Sequence, residues 1–203
     1  MKKNTFGGKF IVFEGLDGSG QSTQAALLAE YIRKQGLEVL LTKEPTQWTA
    51  AGKKIKEVLE EKTEIAPLKL QQLFVRDRAE HLRREIIPAL KKGKVVICDR
   101  YFFSTIAYGG LAVPQKKLVV MNRNFLCPDM TLFLRVSPEE CLRRIEKRGE
   151  GVRFFEKLEK LKKVALNYER LLKMFSLAKA VDGARTIKQI HRRIIVVLKG
   201  VSL

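Results

Sequence analysis

Lys9-Phe10-Ile11-Val12-Phe13-Glu14, then Gly15-Leu16-Asp17-Gly18-Ser19-Gly20-Gln21-Ser22-Thr23, is the stretch that decides how this chain is read. The first six residues form a short run rich in β-branched and aromatic side chains, which predicts a buried strand. Beyond the glycine-rich loop, Ala25, Leu28, Ala29 and Ile32 recur at helical spacing until Gly36, a natural C-terminal stop. Strand, glycine-rich loop and helix in this order match the phosphate-loop pattern G-x-x-x-x-G-K-S/T. There is one departure, Gln21 where the pattern has lysine.

The spacing has a chemical reason. Glycines let the backbone curl so that successive N–H groups point inward at an anion. The helix that follows adds its free N–H groups and aligned dipoles. Ser22 supplies a hydroxyl suited to a phosphate-bound Mg²⁺, with Asp99 as the second candidate for the metal site. Glutamine at position 21 is shorter than lysine and uncharged, so the cation that would reach the outer phosphates is missing.

The chain has 203 residues, with 40 lysines and arginines against 22 acidic residues and a formal net charge of +18. That length suits one α/β domain spanning residues 1–203. No stretch is apolar enough to span a bilayer and no apolar signal core is visible, so a cytoplasmic location is expected. Cys98, Cys127 and Cys141 lie far apart without metal-ligand spacing and read as reduced thiols. The positive charge favours anionic partners. Most basic residues, however, sit among glutamates on helical stretches such as Lys53–Lys62 and Glu156–Lys163, the pattern of a solvated face. Nucleic acid is therefore not the expected partner.

Met1–Gly8 reads as a polar, frayed start. Val39–Thr42 is a second strand, ending at Lys43-Glu44-Pro45-Thr46. Helical patterns follow over Ala50–Glu61 and Leu68–Lys92, the second opened by Pro67 and bent or ended at Pro88. Lys94–Cys98 is the third strand, with Asp99-Arg100-Tyr101 at its carboxyl end, where parallel α/β sheets bind ligands. Thr131–Val136 is the fourth, followed by a helix start at Ser137-Pro138-Glu139-Glu140 and a helix to Lys147. Arg148-Gly149-Glu150-Gly151-Val152-Arg153 interrupts the helical pattern, which resumes over Phe155–Phe175. Ala178–Val181 is a fifth strand and Ile187–Leu198 a last helix. Alternating strands and helices predict a parallel sheet covered on both faces.

In this order the pieces resemble the thymidylate kinase family of nucleoside monophosphate kinases, over roughly Phe10–Leu198. The resemblance is carried by the phosphate loop and Thr42-Lys43-Glu44-Pro45, then by Leu73-Phe74-Val75-Arg76-Asp77-Arg78-Ala79-Glu80-His81. Asp99-Arg100-Tyr101-Phe102-Phe103-Ser104-Thr105-Ile106-Ala107-Tyr108 and Arg148–Phe154 complete it. It implies a P-loop NTPase fold, five parallel strands with a short lid over about residues 148–155, and a homodimer. It also implies ATP-dependent phosphorylation of dTMP to dTDP, assisted by Mg²⁺, in deoxynucleotide biosynthesis.

The resemblance further implies residue roles. The loop Gly15, Leu16, Asp17, Gly18, Ser19, Gly20, Gln21, Ser22 and Thr23 would hold ATP. Asp17 would approach the deoxyribose 3′-hydroxyl and the acceptor phosphate, Phe74 would stack on thymine and Arg78 would bond its polar edge. Arg100 would clamp the monophosphate, a task suited to a planar guanidinium fork. Thr105 and Tyr108 would line the pocket, Tyr168 would stand near the nucleoside, and Arg148 and Arg153 would close over ATP as catalytic cations.

The chain departs from the family pattern at three positions. Gln21 replaces the loop lysine, Gly109 stands where many members carry a glutamine near the base, and Gly18 stands where some carry a loop arginine. Gln21 motivates an alternative reading, a nucleotide-binding paralogue with little kinase activity. A nucleic-acid-binding protein using the surplus charge is the third reading.

Overall fold

The computed structural model describes residues 1–147 and 154–199. Strands β1 (Phe10–Gly15), β2 (Val39–Lys43), β3 (Val95–Asp99), β4 (Met130–Arg135) and β5 (Ala178–Asp182) form one sheet in the order β2-β3-β1-β4-β5. Every pairing is parallel, and β1 is central, with Phe10 opposite Val96 and Ile11 opposite Met130. The expected five-stranded parallel α/β sheet is therefore the observed one.

Side chains of β1 alternate between two cores, as strand geometry requires. Phe10 and Val12 join Val96, Cys98 and Phe133 on one face. Ile11 and Phe13 join Ile97, Leu132 and Leu134 on the other, against Ala25, Leu28 and Ile32 of helix α1 (Gln21–Arg33). Burial on both faces explains why β1 is a continuous apolar run rather than an alternating one.

The remaining helices are α2 (Ala50–Leu59), α3 (Pro67–His81), α4 (Ile87–Lys91), α5 (Phe102–Gly109), α6 (Gln115–Asn122), α7 (Pro138–Glu146), α8 (Phe154–Met174) and α9 (Ile187–Leu198). Pro88 neither ends nor breaks the long helix predicted over Leu68–Lys92. A π-helical turn, Leu82–Ile86, joins α3 to α4 and ends two residues before the proline. Proline has no N–H to donate and crowds the carbonyl four residues back; the wider turn shifts the hydrogen-bond register there. Ser137 caps α7 as its sequence signals, accepting from the Glu140 N–H at 3.2 Å.

Two features differ from the sequence reading. The amino-terminal residues are pinned rather than frayed: Lys2 pairs with Leu126, and the Asn4 amide donates to Asp129 Oδ2 at 2.6 Å. Helices α5 and α6 carry no sequence signal of their own. Helix α5 is buried around most of its circumference, so it lacks an amphipathic stripe. Its amino-terminal cap comes from elsewhere: Glu14 Oε1, at the end of β1, accepts from the N–H groups of Tyr101 (2.9 Å) and Ser104 (3.2 Å). Among the described residues no helix is long and apolar enough to cross a membrane.

Candidate active site

The carboxyl ends of β1, β2 and β3 converge on the phosphate loop, so Asp99 and Arg100 face the same crevice as Gly15–Thr23. Gly20 is the N-cap of helix α1 and, having no side chain, supplies no side-chain cap. The first N–H groups of α1 are thus left for an anion, as a phosphate site requires. Gly18 has no room for a side chain: a Cβ would lie 2.4 Å from the Cys141 carbonyl oxygen of α7, and φ there is +85°. With α7 this close, an arginine at position 18 would not fit.

Gln21 turns back on its own loop, its amide donating to the Gly15 carbonyl at 3.0 Å. Ser22 Oγ donates to Asp99 Oδ2 at 2.5 Å, and Lys43 Nζ stands 3.3 Å from the same oxygen. Asp99 Oδ1 is buried without a hydrogen-bond partner among the described residues. A hydroxyl, a carboxylate and an orphaned carboxylate oxygen beside an anion cradle fit a hydrated divalent cation bound mainly through phosphates.

Arg100 sits at φ +71°, in the left-handed region that side chains rarely adopt. Its guanidinium donates to Gly15 O (3.2 Å), Ser104 Oγ (3.0 Å) and Asp17 Oδ1 (2.7 Å) and lies 5.5 Å from the centre of the Tyr108 ring. The Asp17 N–H donates to the Tyr108 hydroxyl oxygen at 2.9 Å. Beneath them Ser104 Oγ donates to Glu14 Oε2 at 2.5 Å, and the Tyr168 hydroxyl donates to the same oxygen at 3.0 Å. Burial pushes the Glu14 carboxyl up to about 7 against the opposing pull of Ser104, of Arg100 and of the Tyr101 N–H.

A cavity of about 380 Å³ opens beside Arg100, walled by Phe74, Arg78, Thr105, Tyr108 and Asp17. Arg78, 1 % exposed, forms its floor. Its donors go to Glu44 Oε2 (2.8 Å from Nε, with Nη2 at 2.6 Å), Thr105 Oγ1 (2.9 Å) and Asn122 Oδ1 (2.5 Å). On the other side of the loop, a cavity of about 420 Å³ is lined by Gly18–Gly20, Thr23, Arg144 and Thr186. Arg144 reaches across it, donating to Gly183 O at 3.0 Å.

Sequence reasoning thus brings Asp17, Phe74, Arg78, Arg100, Thr105 and Tyr108 into one cavity wall. Tyr168 takes no place in that wall; it is fully buried behind it, bonded to Ser104 and Glu14. Arg148 and Arg153 lie outside the described residues. Glu14, Lys43 and Arg144 carry no role in the sequence reading. Lys43 stands at a strand's carboxyl end and was open to the same positional argument as Asp99. Arg144 reads as a helix-surface residue until β5 brings Gly183 against it.

Comparison with known proteins points to one family. The model of the thymidylate kinase family matches residues 13–194. A Pyrococcus horikoshii protein named "Probable thymidylate kinase" is 42 % identical over 198 residues, covering 95 % of this chain and 96 % of its own. Proteins named "Thymidylate kinase" from Desulfotalea psychrophila and Thermoanaerobacter pseudethanolicus are 38 % and 35 % identical, each over at least 95 % of both chains. With the phosphate loop, the crevice and the wall residues in place, the chain belongs to the thymidylate kinase family.

Proposed function

We propose that this protein transfers the γ-phosphoryl group of ATP to dTMP, releasing ADP and dTDP. The observation that carries the reading is the division of the site. The phosphate loop contributes to two cavities: Gly18–Gly20 and Thr23 line one, Asp17 lines the other with Arg100, and Ser22 is bonded to Asp99. Phosphoryl transfer needs alignment and charge neutralisation more than covalent chemistry. The loop N–H groups would hold ATP, and Phe74, Arg78, Thr105 and Tyr108 would hold the base and sugar of dTMP. Asp17 would approach the deoxyribose 3′-hydroxyl and the acceptor phosphate. Arg100 would fix that phosphate so that its oxygen lies in line with the γ-phosphorus. Bound Mg²⁺ would neutralise the transferring phosphates, held by Ser22 and supported by Asp99. Lid residues Arg148 and Arg153 belong to the same proposal, as do a cytoplasmic location and a homodimer. The binding-only alternative finds no support in the relatives.

A coupled turnover assay with ATP and dTMP tests the reading directly; ADP formation independent of dTMP, or faster with AMP or CMP, sinks it. dUMP, which lacks the thymine methyl, should react about tenfold less efficiently, since a single methyl contact is worth roughly 1–3 kcal/mol. Asp99→Asn should raise the Mg²⁺ concentration for half-maximal rate by about 10–100-fold, the usual cost of losing a carboxylate that supports a metal ligand. A magnesium titration unchanged in that variant removes Asp99 from the metal site.

A further inference from the structure

One wall residue of the acceptor cavity has an unmet need. Gln71, on α3 one turn before Phe74, is 5 % exposed and lines the cavity, yet its Oε1 is buried with no hydrogen-bond partner among the described residues. Buried amides are normally paired, and an orphaned acceptor in the wall of a ligand cavity is placed to be paired by a ligand. Across from it stands Gly109 of α5. A Cβ there would lie 2.7 Å from both Cδ and Oε1 of Gln71 and 3.1 Å from Nε2. The missing side chain at position 109 is what leaves space for the amide.

We propose that Gln71 is the residue that reads the base of the acceptor, its Oε1 taking the ring N–H of a 2,4-dioxopyrimidine and its NH₂ donating to a flanking carbonyl. The proposal rests on the dTMP-kinase reading and deepens it. An amide offers an acceptor beside a donor, which matches the N–H and C=O edge of thymine or uracil. Arg78 cannot perform this part. A guanidinium only donates, and its contacts to Glu44, Thr105 and Asn122 leave Nη1 with one free N–H. That N–H suits a second base carbonyl. With Arg78 on the C4 side, cytosine would set a bare ring nitrogen against Gln71 Oε1 and an amino donor against the Arg78 N–H, and reversing the amide would turn Oε1 onto the C2 carbonyl. Gln71 and Arg78 together therefore select oxo over amino pyrimidines, while Gly109 sets the position of the amide.

The test is dTMP, dCMP and ATP binding by titration calorimetry, each nucleotide alone, on wild type, Gln71→Met, Gln71→Ala, Gly109→Ala and the Gln71→Ala/Gly109→Ala double variant. Gln71→Met should weaken dTMP about three- to tenfold, narrow the preference over dCMP by a similar factor and leave ATP affinity unchanged, the scale of one neutral hydrogen bond. Gly109→Ala should weaken dTMP when Gln71 is present, because the new methyl displaces the amide, and have little effect in the Gln71→Ala background. If Gln71→Met binds dTMP as wild type does, or Gly109→Ala costs as much without Gln71, the base-reading role is overturned and the kinase reading stands. A wild type with no affinity for dTMP overturns both.

Discussion

Arg100→Met is expected to lower kcat/KM for dTMP by about a hundred- to a thousand-fold, or roughly 2.7–4 kcal/mol of lost transition-state stabilisation. The size follows from how firmly the guanidinium is held. Gly15 O, Ser104 Oγ and Asp17 Oδ1 already fix its orientation at 3.2, 3.0 and 2.7 Å, so little ordering remains when a phosphate arrives. The backbone at position 100 is held at φ +71°, a conformation that costs about 1–3 kcal/mol and persists only where surrounding structure imposes it. Methionine keeps that strain and much of the stem packing, so the thermal midpoint should move little while activity falls. Arg100→Lys should recover only part of the loss, because one ammonium cannot span three acceptors in a plane. The KM for ATP should be unaffected in both variants. Retention of kcat/KM within about threefold in Arg100→Met would show that the acceptor phosphate is held elsewhere.

What the sequence makes legible is local. The strand at Phe10–Glu14, the loop and the helix behind it are signalled by period and glycine spacing, and Ser137-Pro138 marks the start of α7 by its own chemistry. Asp99 and Arg100 are legible from position, since the carboxyl end of a parallel strand is where this architecture binds ligands. What stays hidden depends on partners distant in sequence. Helix α5 is capped by Glu14 from β1, 87 to 90 positions away, so nothing near Tyr101 announces it. The orphaned amide of Gln71 becomes visible only when α3 and α5 are packed. For Tyr168 the motif position implies a place near the nucleoside, and only packing shows that its hydroxyl is bonded to Glu14 and Ser104 behind the wall. Gln21 is legible as a departure, but its bond to the Gly15 carbonyl is not.

Glu14 joins the hidden cap to the site, and its titration should be visible as a dependence of stability on pH. Burial is the largest influence and raises its carboxyl from the ordinary 4.5 to about 7; bonds from Ser104, the charge of Arg100 and the Ser104 and Tyr101 N–H groups only partly offset it. The folded value lies above the unfolded one, so between these two pH values the folded state binds more protons. Stability must therefore fall as pH rises through that window, and the full cost is present above about 7. A shift of this size corresponds to about 3 kcal/mol. Glu14→Gln keeps an oxygen for the Tyr101 and Ser104 N–H groups and offers an NH₂ to the Ser104 or Tyr168 hydroxyl, either of which can accept. It cannot ionise. Urea unfolding of both proteins at about pH 5 and about pH 8 should show wild type losing most of that 3 kcal/mol relative to Glu14→Gln. A difference between wild type and variant that stays flat over this range would mean that Arg100 holds Glu14 ionised throughout. Helix α5 would then be capped by a carboxylate, and the charge of Arg100 would be partly spent inside the protein rather than held for a phosphate.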